Sequence, residues 1–187
     1  GASGVKLLPS DEAGLREAVA ILNRGGVAVI PTDTVYGLAA HPRFPAAVEA
    51  LYAIKGRAHR KPIALLAADA AAAASYVGGF PGPAKDLAAR FWPGALTLVV
   101  KGEGFRVPAH DWTRRLLARC GGVLRVTSAN LSGRRPATDA EQALREIGLS
   151  ADLVVDDGVS PGGVPSTVVR VAEDGSLEIL RKGAVEL

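Results

Sequence analysis

The sequence predicts an α/β protein on a mixed β-sheet, and three observations carry that prediction. Short apolar runs alternate with segments of helical periodicity through the first two-thirds of the 187 residues. Apolar runs then follow one another directly near the end, which is the pattern of strands in succession. Glycine, proline and helix-capping residues punctuate the boundaries between them.

Taken in order, Ser10 followed by Asp11 and Glu12 reads as a helix start, with acids favoured in the first turn. Leu15, Val19 and Leu22 recur at helical spacing, and Gly25-Gly26 closes the segment. Residues 27–30 are a short buried strand. Val48, Leu51, Tyr52 and Ile54 predict a helix over 45–54, and a strand over 63–66 follows Pro62. The alanine-rich stretch 69–76 is helical by propensity. After Pro81-Gly82-Pro83 a helix runs to Phe91. Strands over 95–100 and 123–126 enclose a helix near 112–119. Thr138-Asp139-Ala140-Glu141 has the spacing of a capping box and opens a helix to Ile147. Residues 153–155, 166–171 and 177–181 finish as strands, the last two joined by the hairpin signal Glu173-Asp174-Gly175-Ser176. No repeat, low-complexity linker or boundary divides the chain, so residues 1–187 read as one domain.

Composition excludes several classes. The hydrophobic share of 48% is that of a globular protein, and no run of 18 apolar residues offers a membrane span. The start, GASGVKLLPS, lacks the basic-then-apolar layout of a signal peptide. One cysteine, Cys120, rules out an internal disulfide and suits a reducing cytoplasm, the expected location. The histidines His41, His59 and His110 are scattered, so no metal site is expected. Net charge is +3 but unevenly spread: residues 101–135 hold eight cations against Glu103 and Asp111, and Lys55, Arg57, Arg60 and Lys61 form a second knot. Such clusters point to an anionic partner, nucleotide phosphate or RNA, or else to a solvated face rich in arginine.

Four segments combine strand ends with polar clusters: PTDTVYGL (31–38), KGRAHRKP (55–62), TSANLSG (127–133) and VPSTVV (164–169). Ligands bind at strand ends in open α/β sheets. Hydroxyl-rich loops can also be turns that satisfy their own backbone. Any one segment reads better as a turn; four together point to a site. Neither glycine-rich phosphate motif, GxxxxGK[ST] or GxGxxG, is present, and HExxH and GxSxG are missing as well. Phosphates would then be held by lysine, arginine, hydroxyls and backbone donors, and catalysis would rest on positioning and charge neutralisation.

PTDTVYGL, KGR with its following KP, FWPGALTLVV (91–100), FRVP (105–108), TSANLSG and PSTVV, in that order, resemble the YrdC/TsaC family over about residues 10–185. The resemblance implies a YrdC-like twisted, open mixed sheet flanked by helices around a deep basic cavity, in the short, single-domain form. It implies an L-threonylcarbamoyladenylate synthase, a nucleotidyltransferase serving formation of N6-threonylcarbamoyladenosine in tRNA. L-Threonine and bicarbonate or CO2 would give N-carboxy-threonine, whose carboxylate attacks the α-phosphate of ATP to yield threonylcarbamoyl-AMP and pyrophosphate. Mg2+ would accompany ATP, held mainly by its phosphates and water. Downstream proteins that modify tRNA would be partners, with tRNA itself a further candidate at the basic surface.

Carried onto this sequence, Lys55 and Arg57 would face the cavity solvent and meet phosphate charge as the catalytic pair. Arg57, Lys61, Ser128, Asn130, Thr138 and Arg181 would bind ATP, with helix capping the competing role for Thr138. Thr34 would contact threonine, Thr32 and Tyr36 would shape its pocket, Arg106 would pair with its carboxylate, and Ser166 would add a hydrogen bond. Asp33 and Gly37 would hold the turn. The chain departs from the family at Ala58-His59, where proline is usual after KGR, at Leu66, where many relatives have histidine, and at Arg125, in a segment otherwise small and apolar. Two rival readings stand beside this one: an RNA-binding or ribosome-assembly module, which does not account for the uncharged PTDTVYGL and PSTVV, and a carbamoyltransferase-type domain.

Overall fold

In the computed structural model, which describes residues 4–56, 62–131, 133–147 and 150–187, the helices form where local periodicity and caps predict them. Helix α1 (Glu12–Leu22) is capped by Asp11, whose carboxylate accepts from the Gly14 N–H at 2.8 Å. Ser10, the expected start, donates instead to Asp157. Helix α2 (Pro45–Lys55) begins with proline, whose missing N–H costs nothing in the first turn, and ends at Gly56 in the left-handed region. Asp69 caps α3 (Ala70–Tyr76), and α4 (Gly82–Phe91) has proline in its first turn. Helix α5 (Asp111–Arg119) is capped by the His110 ring. Helix α6 (Ala140–Glu146) is capped one residue later than expected. Asp139 accepts from the Gln142 N–H, while the Gln142 amide oxygen reaches back to the N–H and hydroxyl of Thr138.

The strands are β1 (Lys6–Pro9), β2 (Val27–Ile30), β3 (Gly37–Ala40), β4 (Leu65–Ala67), β5 (Leu96–Val100), β6 (Glu103–Arg106), β7 (Val123–Ser128), β8 (Leu153–Asp156), β9 (Thr167–Val171) and β10 (Leu177–Arg181). They form one mixed sheet in the order β1-β8-β2-β3-β7-β4-β6-β5-β9-β10. Three of these strands do not follow from the sequence pattern. β3 reads GLAA, with little strand propensity; it is a strand because β2 and β7 pair with it from both sides. β6 reads EGFR and folds back on β5 through Lys101-Gly102, both at positive φ, a two-residue turn matched to hairpin twist. β1 pairs in parallel with β8, far along the chain.

Alternation along the strands decides what each face meets. In β2, Ala28 and Ile30 pack with Leu15, Leu22, Leu116 and Leu117 of α1 and α5, whereas Val27 and Val29 pack with Leu51 of α2 and Ala143 of α6. This half of the sheet is covered on both faces. In the other half, Leu96, Leu98 and Val100 of β5 pack with Phe105, Val169, and Ala84 and Leu87 of α4. The residues between them, Thr97 and Val99, face a cavity. That uncovered face is where the site lies.

Candidate active site

The cavity measures about 730 Å3. Its floor is the face of β4, β6, β5 and β9 opposite α3 and α4, and its wall is the six-residue loop between β2 and β3, where Ile30 pairs with Gly37. Gly37 permits a close approach: a Cβ there would lie 2.5 Å from Val126 Cγ1.

The loop is built from its own hydroxyls. Thr32 Oγ1 donates to Val35 O at 2.5 Å and accepts from the Thr34 N–H at 3.1 Å, which closes the turn. Thr34 Oγ1 sits 3.1 Å from Thr32 Oγ1 and accepts from Arg106 Nη2 at 3.0 Å. The Tyr36 hydroxyl donates to Gly158 O and accepts from the Asp157 N–H, anchoring the loop that follows β8. Burial pushes the Tyr36 phenol up to about 12, so it stays protonated and is no base at neutral pH. That same loop is fastened by the Gly163 N–H on Thr34 O at 2.8 Å.

Across the cavity, Ser166 and Thr97 hydroxyls share a hydrogen bond of 2.7 Å, and Arg181 donates to Ser166 O (2.7 Å) and Ser166 Oγ (3.1 Å). Burial, and then the charge of Arg106, lower the Arg181 pKa. Arg106, Arg170 and Arg181 line the cavity, and among the described residues no aspartate or glutamate does. Arg106 is paired with Asp33 and Arg170 with Glu178, so Arg181 is the lining arginine that no carboxylate neutralises among the described residues, and the one best placed to attract an anion.

The structure thus brings Thr32, Thr34, Tyr36, Arg106, Ser128, Ser166 and Arg181 to one cavity. Lys55 is different from the expectation: it is buried, 4% exposed, and does not face solvent. Its ammonium donates to Ser128 O at 2.7 Å, Asn130 Oδ1 at 2.8 Å and Ser128 Oγ at 3.3 Å, tying the end of α2 to the end of β7. Asn130 is buried too, its amide donating to Leu131 O and Arg134 O, so both stand behind the wall that Ser128 presents. Thr138 is not among the lining residues; its hydroxyl lies 3.3 Å from Gln142 Oε1 and its carbonyl accepts from the Ser160 N–H. Arg57 and Lys61 lie outside the described residues.

Sequence reasoning missed three side chains. Thr97 carries a signal, a lone hydroxyl on an apolar strand. Arg170 carries none, since on a strand paired with Glu178 it reads as surface charge. Asp33, expected to hold the turn, pairs instead with Arg106. The departures also find places: Leu66 forms apolar cavity wall, and Arg125 is held by Glu103 through two bonds of 2.9 Å and by Ile63 O.

A family model described as telomere recombination, that of the Sua5, YciO and YrdC proteins, matches residues 20–183. The chain belongs to this family. It is 33% identical over 193 residues to the threonylcarbamoyl-AMP synthase of Bacillus subtilis, a match covering 95% of this chain and 56% of that protein. To the threonylcarbamoyl-AMP synthase of Homo sapiens it is 34% identical, covering 98% of this chain and 73% of that one. The structure of P. abyssi Sua5 complexed with L-threonine superposes with a TM-score of 0.84 at 28% identity, over 96% of this chain and 57% of that chain. The E. coli YciO structure shares the fold, with a TM-score of 0.81 at 22% identity over 98% of this chain. The chain spans little more than half the length of the B. subtilis and P. abyssi proteins. The open mixed sheet with flanking helices is the architecture of this family.

Proposed function

We propose that this chain makes threonylcarbamoyl-AMP and pyrophosphate from L-threonine, bicarbonate or CO2, and ATP. The observation that carries the reading is a cavity that combines a hydroxyl cluster with three arginines and, among the described residues, no lining acid, in a chain about one-third identical to threonylcarbamoyl-AMP synthases.

The chemistry asks for what those residues offer. A carbamate carboxylate attacking a polyphosphate brings together two anions, and fixed cations offset their repulsion without reorganising. Arg106, with Thr34, is placed to take the amino acid's carboxylate, and Ser166 to hydrogen-bond the same substrate. Arg181 and Ser128 serve the nucleotide, and Arg170 at the same cavity offers a further phosphate donor. Arg57 and Lys61 complete the phosphate contacts, as the motif implies. Lys55 and Asn130 act by holding Ser128, at the end of β7, against the cavity. The walls of Leu66, Val126 and Val168 limit water around a reactive mixed anhydride. Mg2+ would ride on the ATP phosphates and water, neutralising their charge.

No helix among the described residues is long and apolar enough to cross a membrane. A cytoplasmic place, with the product passed to proteins that modify tRNA, fits the lone buried cysteine. Direct RNA contact is a lesser part of the reading. On α5, the exposed cations Arg115 and Arg119 are both engaged by Glu12 of α1, at 2.7 and 3.1 Å.

The test is pyrophosphate release from ATP with each component withheld in turn. Release that requires both L-threonine and bicarbonate supports the reading; release indifferent to either one refutes it.

A further inference from the structure

We propose that Asp33 is a positioning residue, which locks the guanidinium of Arg106 in the orientation that receives the substrate carboxylate. The proposal rests on the reading of Arg106 as the carboxylate contact. Nothing in the turn requires an acid at position 33, because Thr32 already closes it.

The Asp33 carboxylate reaches Arg106 Nη1 at 2.5 Å, and both side chains are nearly buried, at 12% and 8% exposure. Arg106 also donates from Nη1 to Gly94 O at 3.4 Å and from Nη2 to Thr34 Oγ1 at 3.0 Å. Of the five N–H donors of a guanidinium, these three contacts engage three. Among the described residues the Nε–H and one Nη2–H have no partner and remain for a ligand.

Asp33 is itself held. A Cβ on Gly162 would lie 2.6 Å from Asp33 O, so the loop after β8 packs directly on its backbone, and the Gly163 N–H binds the next carbonyl. An arginine free to rotate carries substantial rotamer entropy, which binding would have to remove. Asp33 holds Arg106 from outside the lining, without occupying the space a carboxylate needs.

The variants are Asp33→Asn, which keeps an oxygen to accept from Nη1 but loses the charge, and Asp33→Ala, which loses both. Two readouts serve: 15N spectra of the Arg106 guanidinium in ligand-free protein, and calorimetric affinity for L-threonine and for ATP. The expectation is hindered Nη rotation in the parent and release in Asp33→Ala. L-Threonine affinity should fall about tenfold in Asp33→Ala, the scale of one net hydrogen bond lost, with ATP affinity nearly unchanged. Asp33→Asn should stay within about threefold of the parent, because the orienting hydrogen bond survives. A guanidinium equally hindered in Asp33→Ala overturns the proposal. So does Asp33→Asn binding threonine as poorly as Asp33→Ala, which would mean charge rather than orientation, or an equal loss for both ligands, which would mean a scaffold role. Were the parent not to bind threonine at all, the substrate reading would fall, while release of the guanidinium in Asp33→Ala would still support the lock.

Discussion

Lys55→Met removes an ammonium and almost no volume, so it isolates what the charge does. Two strong hydrogen bonds disappear, those to Ser128 O at 2.7 Å and Asn130 Oδ1 at 2.8 Å. Neither acceptor is orphaned: Ser128 O still accepts from the Asn130 N–H, and Ser128 Oγ still donates to Asn130 Oδ1. The loss is therefore that of the charge-assisted bonds, about 1.5–3 kcal/mol each, without an added penalty for unpaired oxygens. Part is recovered because the native chain no longer has to dehydrate an ammonium. A net destabilisation of ~2 kcal/mol follows, which for a chain of this size lowers the Tm by roughly 4–8 °C. Differential scanning calorimetry measures it directly. Activity assayed well below the new Tm should fall as well, because Ser128 and the chain to Arg134 lose their anchor to α2. A variant that keeps its Tm within about 1 °C of the parent yet has lost all activity refutes the reasoning, for it would mean that the ammonium acts on substrate and not on β7.

Thr34→Val should weaken L-threonine binding by about 0.5–1.5 kcal/mol, and by more if Arg106 Nη2 is left unpaired, with ATP binding unchanged by calorimetry; equal loss for both ligands would make Thr34 structural. His41 should make the fold sensitive to acid. Its Nδ1 accepts from the Arg43 N–H and its Nε2–H donates to Cys120 O, so the native ring is neutral, and burial lowers its pKa. The unfolded chain therefore takes up the proton first, and stability is lost as pH falls below the ordinary histidine value of about 6.5. Urea midpoints measured from about pH 8 to about pH 5 should fall more steeply for the parent than for His41→Gln; parallel curves would exclude His41 as the cause. Neutralising Arg114, Arg115 and Arg119 together should leave the salt dependence of RNA binding nearly unchanged, since two of them already face Glu12; a slope that flattens by about 0.7–0.9 per residue removed would restore an RNA-binding face.

The sequence by itself determined the helices, the strands with strong apolar runs and the list of segments that meet at the site. These are local properties: periodicity, caps and hydroxyl-rich strand ends are written in neighbouring residues, and Asp69 or the Glu173–Ser176 turn act over three or four positions. Tertiary structure alone decided which residues face which others. GLAA at 37–40 is a strand because β2 and β7 flank it, and the charged EGFR at 103–106 is one because a Lys-Gly turn returns it to β5. Asp33 finds Arg106 across 73 positions, and Lys55 finds Asn130 across 75. No local pattern could show that one acid serves an arginine, or that the lysine of KGR is buried behind the wall. The cavity likewise exists because helices cover one face of β5 and β9 and leave the other uncovered, a fact of packing that period-two alternation permits but cannot choose.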